Sequence, residues 1–168
     1  MSYITLHETK LRHNFKVLDQ LFRDHDIEWA IVAKLLCGNE KFLEVLLNIS
    51  NNEICDSRLS NLKTIKKLSP ETQTIYIKPP AKRLAKSIVQ FADVSFNTEL
   101  ATLEVLSTEA VKQKKVHRVV LMVEMGELRE GIMARNLMSF YDEVLALPNI
   151  EVVGIGTNLN CLNGILPD

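Results

Sequence analysis

The chain has 168 residues, 20 Lys and Arg against 21 Asp and Glu, and 46% apolar residues, the size and mixture of one folded domain rather than a disordered segment. A net charge of −1 excludes the broad basic field that sequence-independent nucleic-acid binding requires. The longest apolar runs, Trp29 to Ala33 and Val119 to Val123, are far shorter than the roughly 20 residues of a membrane-spanning helix, and MSYITLHETKLRHNF lacks the basic-then-apolar build of a signal peptide, so a cytoplasmic protein is expected.

Residues 9–23 set Leu11, Phe15, Leu18 and Leu21/Phe22 at steps of three and four, one apolar face of a helix. The run over 28–32 reads as a first, wholly apolar strand. Helical spacing returns at Phe42, Val45, Leu46 and Ile49, followed by a brief strand over 53–55 and a helix over 57–68 with Ser57 as its cap. A third strand over 74–77 is stopped by Pro79 and Pro80, which cannot donate to a ladder. A helix over 81–91, a strand over 94–96 and a long helix over 98–114, capped by Thr98, come next. A strand over 118–123, a helix over 136–147 and a strand over 152–155 complete about six strands and about six helices. No repeat or linker divides them.

Apolar strands alternating with amphipathic helices require a parallel sheet, since each parallel neighbour needs a crossover. Two α/β architectures satisfy this pattern: an open doubly wound sheet, and a (β/α)8 barrel cut short. The dinucleotide fingerprint is missing, because Cys37-Gly38-Asn39 stands in the first strand-to-helix turn, and Gly154-Ile155-Gly156 has Leu159 where a third glycine belongs.

In such folds the residues just past the strand ends converge on one rim. Here they are Lys34, then Asp56-Ser57-Arg58, Lys78, Asn97, the loop from Glu124 to Gly131 that includes Arg129, and Thr157 to Cys161 with Asn158. Lys34 closes an apolar run. Either its ammonium is desolvated there and becomes a nucleophilic amine, or residues 27–37 are helical and it reaches out to solvent. Arg129 lies in a charged loop that is either merely solvated or bent by Gly126 and Gly131 so that its planar fork meets an anionic oxygen. Arg58 pairs with Asp56 or stays exposed, and Asn158 is by default a turn residue. The odd set of Cys37, Cys55 and Cys161 has no ligand or disulfide spacing; positions past strand ends make an oxidant-sensitive rim one reading and buried, inert thiols the other. His7, His13, His25 and His117 read as solvated.

IVAKLLCGN, ICDSRLSNL, VSFNTELATL, VEMGELREGI and VVGIGTNLNC, in that order, resemble the alanine racemase-like, fold-type III pyridoxal-phosphate enzymes, and within them the ornithine racemase branch. The resemblance runs from about Tyr3 to the last residue. It implies an incomplete (β/α)8 TIM-barrel type with about six β/α units. It also implies a cytoplasmic isomerase that racemises a free amino acid, of ornithine or alanine type, with pyridoxal 5′-phosphate. Lys34 would be the Schiff-base and catalytic lysine, and Arg129, Arg58 and Asn158 would bind the cofactor. Glu124, Glu127, Glu130 and Asp56 are available for a distal substrate amine.

The family's tyrosine soon after the lysine is replaced, since Leu35-Leu36-Cys37-Gly38 follows instead. A complete barrel takes about 250 residues and places its phosphate site after strands seven and eight. Residues 1–168 are therefore expected to be the N-terminal part of the barrel domain, with those strands, the second base and any C-terminal domain absent. The alternative function is a non-catalytic pyridoxal-phosphate-holding protein of the same superfamily, whose usual GEN-type motif differs from ICDSRLSN. A small amino acid is the expected partner, no metal is called for, and a homodimer is left open.

Overall fold

The computed structural model describes residues 4–50 and 53–159, and the chain divides into two units, Met1–Thr74 and Ile75–Asp168. In the first unit, helix α1 spans Glu8–Arg23, with Glu8 in its first turn and Arg23 in its last, each the sign that the helix dipole favours. Its apolar face carries Phe15 and Phe22, whose rings each lie 5.3 Å from the Trp29 ring, and the indole N–H of Trp29 donates to Asp19 at 3.3 Å. That aromatic cluster fixes the chain just before strand β1, Ile31–Val32.

β1 runs parallel to β2, Glu53–Asp56, pairing Ile31 with Ile54 and Val32 with Cys55. The Ala33 N–H continues the ladder to the Cys55 carbonyl at 2.8 Å. Between these strands lies α2, Glu40–Leu47, capped by Asn39, whose side chain accepts the Phe42 N–H at 3.2 Å. Helix α3, Leu59–Leu68, starts later than expected: Arg58 occupies its cap position without a side-chain cap, so Ser57 does not cap it. Asp56 organises the turn instead, its Oδ1 accepting the Arg58 N–H at 2.8 Å and its Oδ2 the Asn61 amide at 3.0 Å. Leu43, Leu46, Ile54, Leu62 and Ile65 form the core of this unit, each worth about 1.5–3 kcal/mol of burial.

The second unit is arranged around β5, His117–Glu124. β3 (Gln73–Tyr76) pairs through Ile75 and Tyr76 with β4 (Val94–Asn97), and β4 pairs with residues 118–121 of β5. β7, Ile150–Gly156, pairs with residues 117–122 of β5. Every one of these pairings is parallel, as the alternation of periods requires. The crossover helices are α4 (Ala85–Phe91), α5 (Leu100–Lys112) and α6 (Leu137–Leu145). α4 is preceded by a 3-10 turn at Lys82–Leu84, and α5 begins past Glu99, which shifts the cap off Thr98.

One strand was not anticipated: β6, Ile132–Met133, pairs parallel with Val123 and Glu124 at the end of β5. A two-residue strand leaves no periodicity to read. Gly156 has a packing role in β7, since a Cβ there would sit 3.0 Å from the Met122 sulfur and 3.2 Å from a Val120 methyl.

His117 departs from its expected solvation. It is 2% exposed, with Nε2 2.8 Å from the Ser95 hydroxyl, which also accepts from the Asn97 amide at 2.9 Å. Burial above all, with Lys115 and Arg118 adding to it against the pull of Asp93, lowers its pKa from 6.5 to about 4. The strand that ends on the candidate loop therefore starts on a neutral, desolvated imidazole. Among the described residues, no helix is long and apolar enough to cross a membrane.

Candidate functional site

Lys34 follows directly on the buried Ala33 at the C-terminal end of β1 and opens a 3-10 turn, Lys34–Leu36. The turn ends at Cys37 in the left-handed region, with φ 51°, and Gly38 follows at φ 74°. A Cβ on Gly38 would lie 2.8 Å from the Asn61 side-chain oxygen, so this position takes glycine for both space and conformation. Two successive left-handed residues turn the chain sharply into α2. The lysine is thus placed at a strand end, as its sequence position suggested. Its side chain is exposed rather than desolvated, and the next residue, Leu35, is 88% exposed.

The first unit brings Arg58 to the same turn. Its Nη1 donates to the Cys37 sulfur at 3.6 Å, while Asp56 is spent on the Arg58 backbone and on Asn61. Cys37 is exposed and Cys55 buried. Burial first, then the nearby Glu53 and Asp56 carboxylates, pushes the Cys55 thiol up to about 12, which makes it inert and removes it from any oxidant-sensitive rim. Cys161 lies outside the described residues.

In the second unit, Arg129 and Asn158 meet around one carboxylate. Glu130 Oε1 accepts the Asn158 amide at 2.6 Å and lies 3.9 Å from Arg129 Nε. The side chain of Arg129 keeps 39% of its surface. Asn158 therefore acts on a neighbour rather than as a plain turn residue. The loop that carries Arg129 is bent by Gly126 (φ 108°), Leu128 (φ 54°) and Gly131 (φ 148°), which places glycine bends on both sides of the arginine. Glu124 turns back into this loop, its Oε1 accepting the N–H groups of Gly126 at 2.7 Å and Leu128 at 2.9 Å. Glu127 is 1% exposed and Asp56 fully buried. Of the four acids considered for a distal amine, two are thus enclosed and the other two already serve partners within the chain.

Also in the second unit, a cleft of about 250 Å³ opens past β4, lined by Pro79, Pro80, Lys82, Asn97, Thr98 and Glu99 among others. Asn97 is fully buried and its amide donates to the carbonyl and hydroxyl of Ser95.

Among the described residues, the Lys34 ammonium has no hydrogen bond or ion pair. Among the described residues, the Arg58 guanidinium meets a thiol, and that of Arg129 a carboxylate at 3.9 Å. In the first unit a primary amine and a guanidinium with unspent donors share one turn, the chemistry that meets an aldehyde and an anionic oxygen, and in the second unit the Arg129 guanidinium by itself offers donors to an anionic oxygen. The residues present therefore fit pyridoxal 5′-phosphate. The sequence singled out Glu124 and Glu130 only as acids for a distal amine; their roles in holding the loop and its arginine depend on bonds to Gly126, Leu128 and Asn158 that residue type alone does not announce.

Comparison with known proteins follows the same lines. The family model described as alanine racemase, N-terminal domain, matches residues 6–165. Ornithine racemase of Acetoanaerobium sticklandii is 36% identical over 98% of this chain and 46% of its own length, so the chain spans about half the length of that relative. In fold, alanine racemase from Corynebacterium glutamicum superimposes with a TM-score of 0.72 at 18% identity, over 89% of this chain and 44% of that one. PipY of Synechococcus elongatus, solved with PLP bound, superimposes with a TM-score of 0.69 at 13% identity, over 82% of this chain and 65% of that one. The architecture is accordingly that of an incomplete (β/α) barrel rather than an open doubly wound sheet.

Proposed function

The chain belongs to the alanine racemase N-terminal domain family, and from that premise we propose that it is the N-terminal part of a pyridoxal 5′-phosphate-dependent racemase acting on a free amino acid, of ornithine type by its 36% identity to an ornithine racemase. The observation that carries this reading is Lys34: an exposed primary amine with no hydrogen-bond or ion-pair partner among the described residues, opening a 3-10 turn at the C-terminal end of the first parallel strand, the end at which barrel enzymes build their sites. Lys34 would hold the cofactor through its amine. Arg129 would offer two parallel donors to an anionic oxygen, with Glu130 and Asn158 fixing its approach. Arg58 would add a second guanidinium beside the lysine turn.

When bound, the cofactor supplies an electron sink that acidifies the α-proton of an attached amino acid. The primary amine of Lys34 would supply a base for the α-proton on one face. The second base, the phosphate loops and any C-terminal domain belong, in this reading, to the remaining half of the enzyme. The protein is expected to work in the cytoplasm on a small amino acid.

The test is to mix the full-length enzyme, of which residues 1–168 are the N-terminal part in this reading, with pyridoxal 5′-phosphate, follow absorbance above about 400 nm, reduce with borohydride and map the adduct by mass spectrometry, with a chiral assay on ornithine alongside. An adduct confined to Lys34 together with racemisation supports the reading. An adduct at Lys34 without turnover of any amino acid supports a non-catalytic cofactor-holding protein, and labelling scattered over surface lysines overturns both.

A further inference from the structure

We propose that Glu124 is a positioning residue for Arg129: its carboxylate, at the end of β5, folds the 125–131 loop around itself and so fixes where the guanidinium is presented. The inference rests on the reading of Arg129 as a cofactor contact. Glu124 Oε1 accepts two loop amides, from Gly126 at 2.7 Å and Leu128 at 2.9 Å, and both are charge-assisted bonds. These amides, with those of Arg129 and Glu127, hold the Glu124 carboxyl below its usual range, the Leu128 amide most of all, so the group is ionised at neutral pH.

Leu128 is the residue that most needs such a bond. It occupies the left-handed region at φ 54°, where a side chain with a Cβ is disfavoured. Its own side chain is 81% exposed, so packing does not hold it there. The amide bond to Glu124 does, and the next residue in the chain is Arg129. A strained residue directly before a proposed ligand contact, retained by one carboxylate, is the pattern in which backbone strain serves a site.

The far end of the loop is tied to the same place. A Cβ on Gly131 would lie 2.3 Å from the Glu124 nitrogen and 2.7 Å from its Cα, so the returning chain presses on the backbone of Glu124, and only glycine permits that contact. One residue later β6 pairs Ile132 with Val123 and Met133 with Glu124. Parallel neighbours ordinarily need a crossover of about a dozen residues or more. Here the loop 125–131 makes the connection, with Glu124 anchoring its interior through the side chain and its exit through the main chain.

The test begins on cofactor-free protein, with amide hydrogen exchange across 125–131 in the parent, Glu124→Ala and Glu124→Gln. Exchange in E124A is expected to quicken roughly tenfold, the scale of one lost charge-assisted hydrogen bond, with E124Q between because its amide oxygen accepts without charge. Titration of the full-length enzyme with pyridoxal 5′-phosphate should then show affinity weakened roughly tenfold in E124A and at least as much in Arg129→Ala, the double variant being no weaker than R129A. Unchanged exchange in both Glu124 variants overturns the proposal, and so do additive losses in the double variant, which would mean that Glu124 acts apart from Arg129. If E124A does not fold, E124Q carries the same comparison. An R129A variant with parent affinity overturns the reading of Arg129 and the positioning role with it; exchange that still responds to E124A distinguishes that result from a failure of the loop geometry.

Discussion

The turn that carries Lys34 and the loop that carries Arg129 each follow a parallel strand and each use left-handed residues, yet they are held in different ways. The lysine turn is a short 3-10 segment with an exposed lysine and an exposed leucine, shaped by backbone bonds and by Gly38 lying against Asn61. The arginine loop is drawn around a carboxylate and closed by a glycine pressed on the strand it came from. An amine that must exchange partners needs freedom at its tip, whereas a group that only has to orient an anion gains from being fixed beforehand.

The sharpest way to break this contrast is to remove the amine. In the full-length enzyme, Lys34→Ala is expected to abolish the borohydride-trapped adduct and to lower racemisation about a thousandfold or more, while leaving the thermal midpoint of the cofactor-free protein unchanged. Retention of a specific adduct would mean that the contrast was drawn at the wrong residue. The reverse pattern is expected at the loop, where Gly131→Ala forces a Cβ against the Glu124 backbone and should cost about 2–3 kcal/mol in urea unfolding.

The other end of β5 offers a pH test. The folded His117 titrates near 4 and the ordinary imidazole near 6.5, so between those values the unfolded chain binds a proton that the folded chain does not. Stability is therefore complete above about pH 6.5 and falls by up to about 3 kcal/mol as the pH drops through about 4. His117→Gln should flatten that part of the urea midpoint against pH; an unchanged slope would place the imidazole in water. Two smaller effects return to the lysine turn. Iodoacetamide should label Cys37 in the folded protein and Cys55 only after unfolding, and Leu35→Ala should shift stability by no more than about 0.5 kcal/mol, because its side chain is 88% exposed.

What the sequence disclosed depended on the range of the interaction. Alternating apolar periods gave the parallel α/β order, and a lysine closing an apolar run lies at a strand end, because both are local patterns. Ser57 and Thr98 looked like caps by residue type, but the helices start later, Asp56 holding one turn through a side chain that closes on Asn61. The burial of His117 depends on Ser95, which only strand pairing brings near. β6 was invisible because its pairing depends on a loop geometry rather than a repeat. Arg129 could be picked out between two glycines, and Glu124 as an acid beside it, but not that its carboxylate is used on the loop amides rather than on a substrate.

The compact loop after β5 also bears on the order in which the chain assembles. Glu124, the amides it gathers and the glycine that closes over it are near neighbours in sequence, so the entropy lost in bringing them together is small and the closure belongs to the sub-microsecond events of folding. The seat of the arginine is thus able to form as soon as β5 is extended, ahead of the slower long-range pairing of β4 and β7.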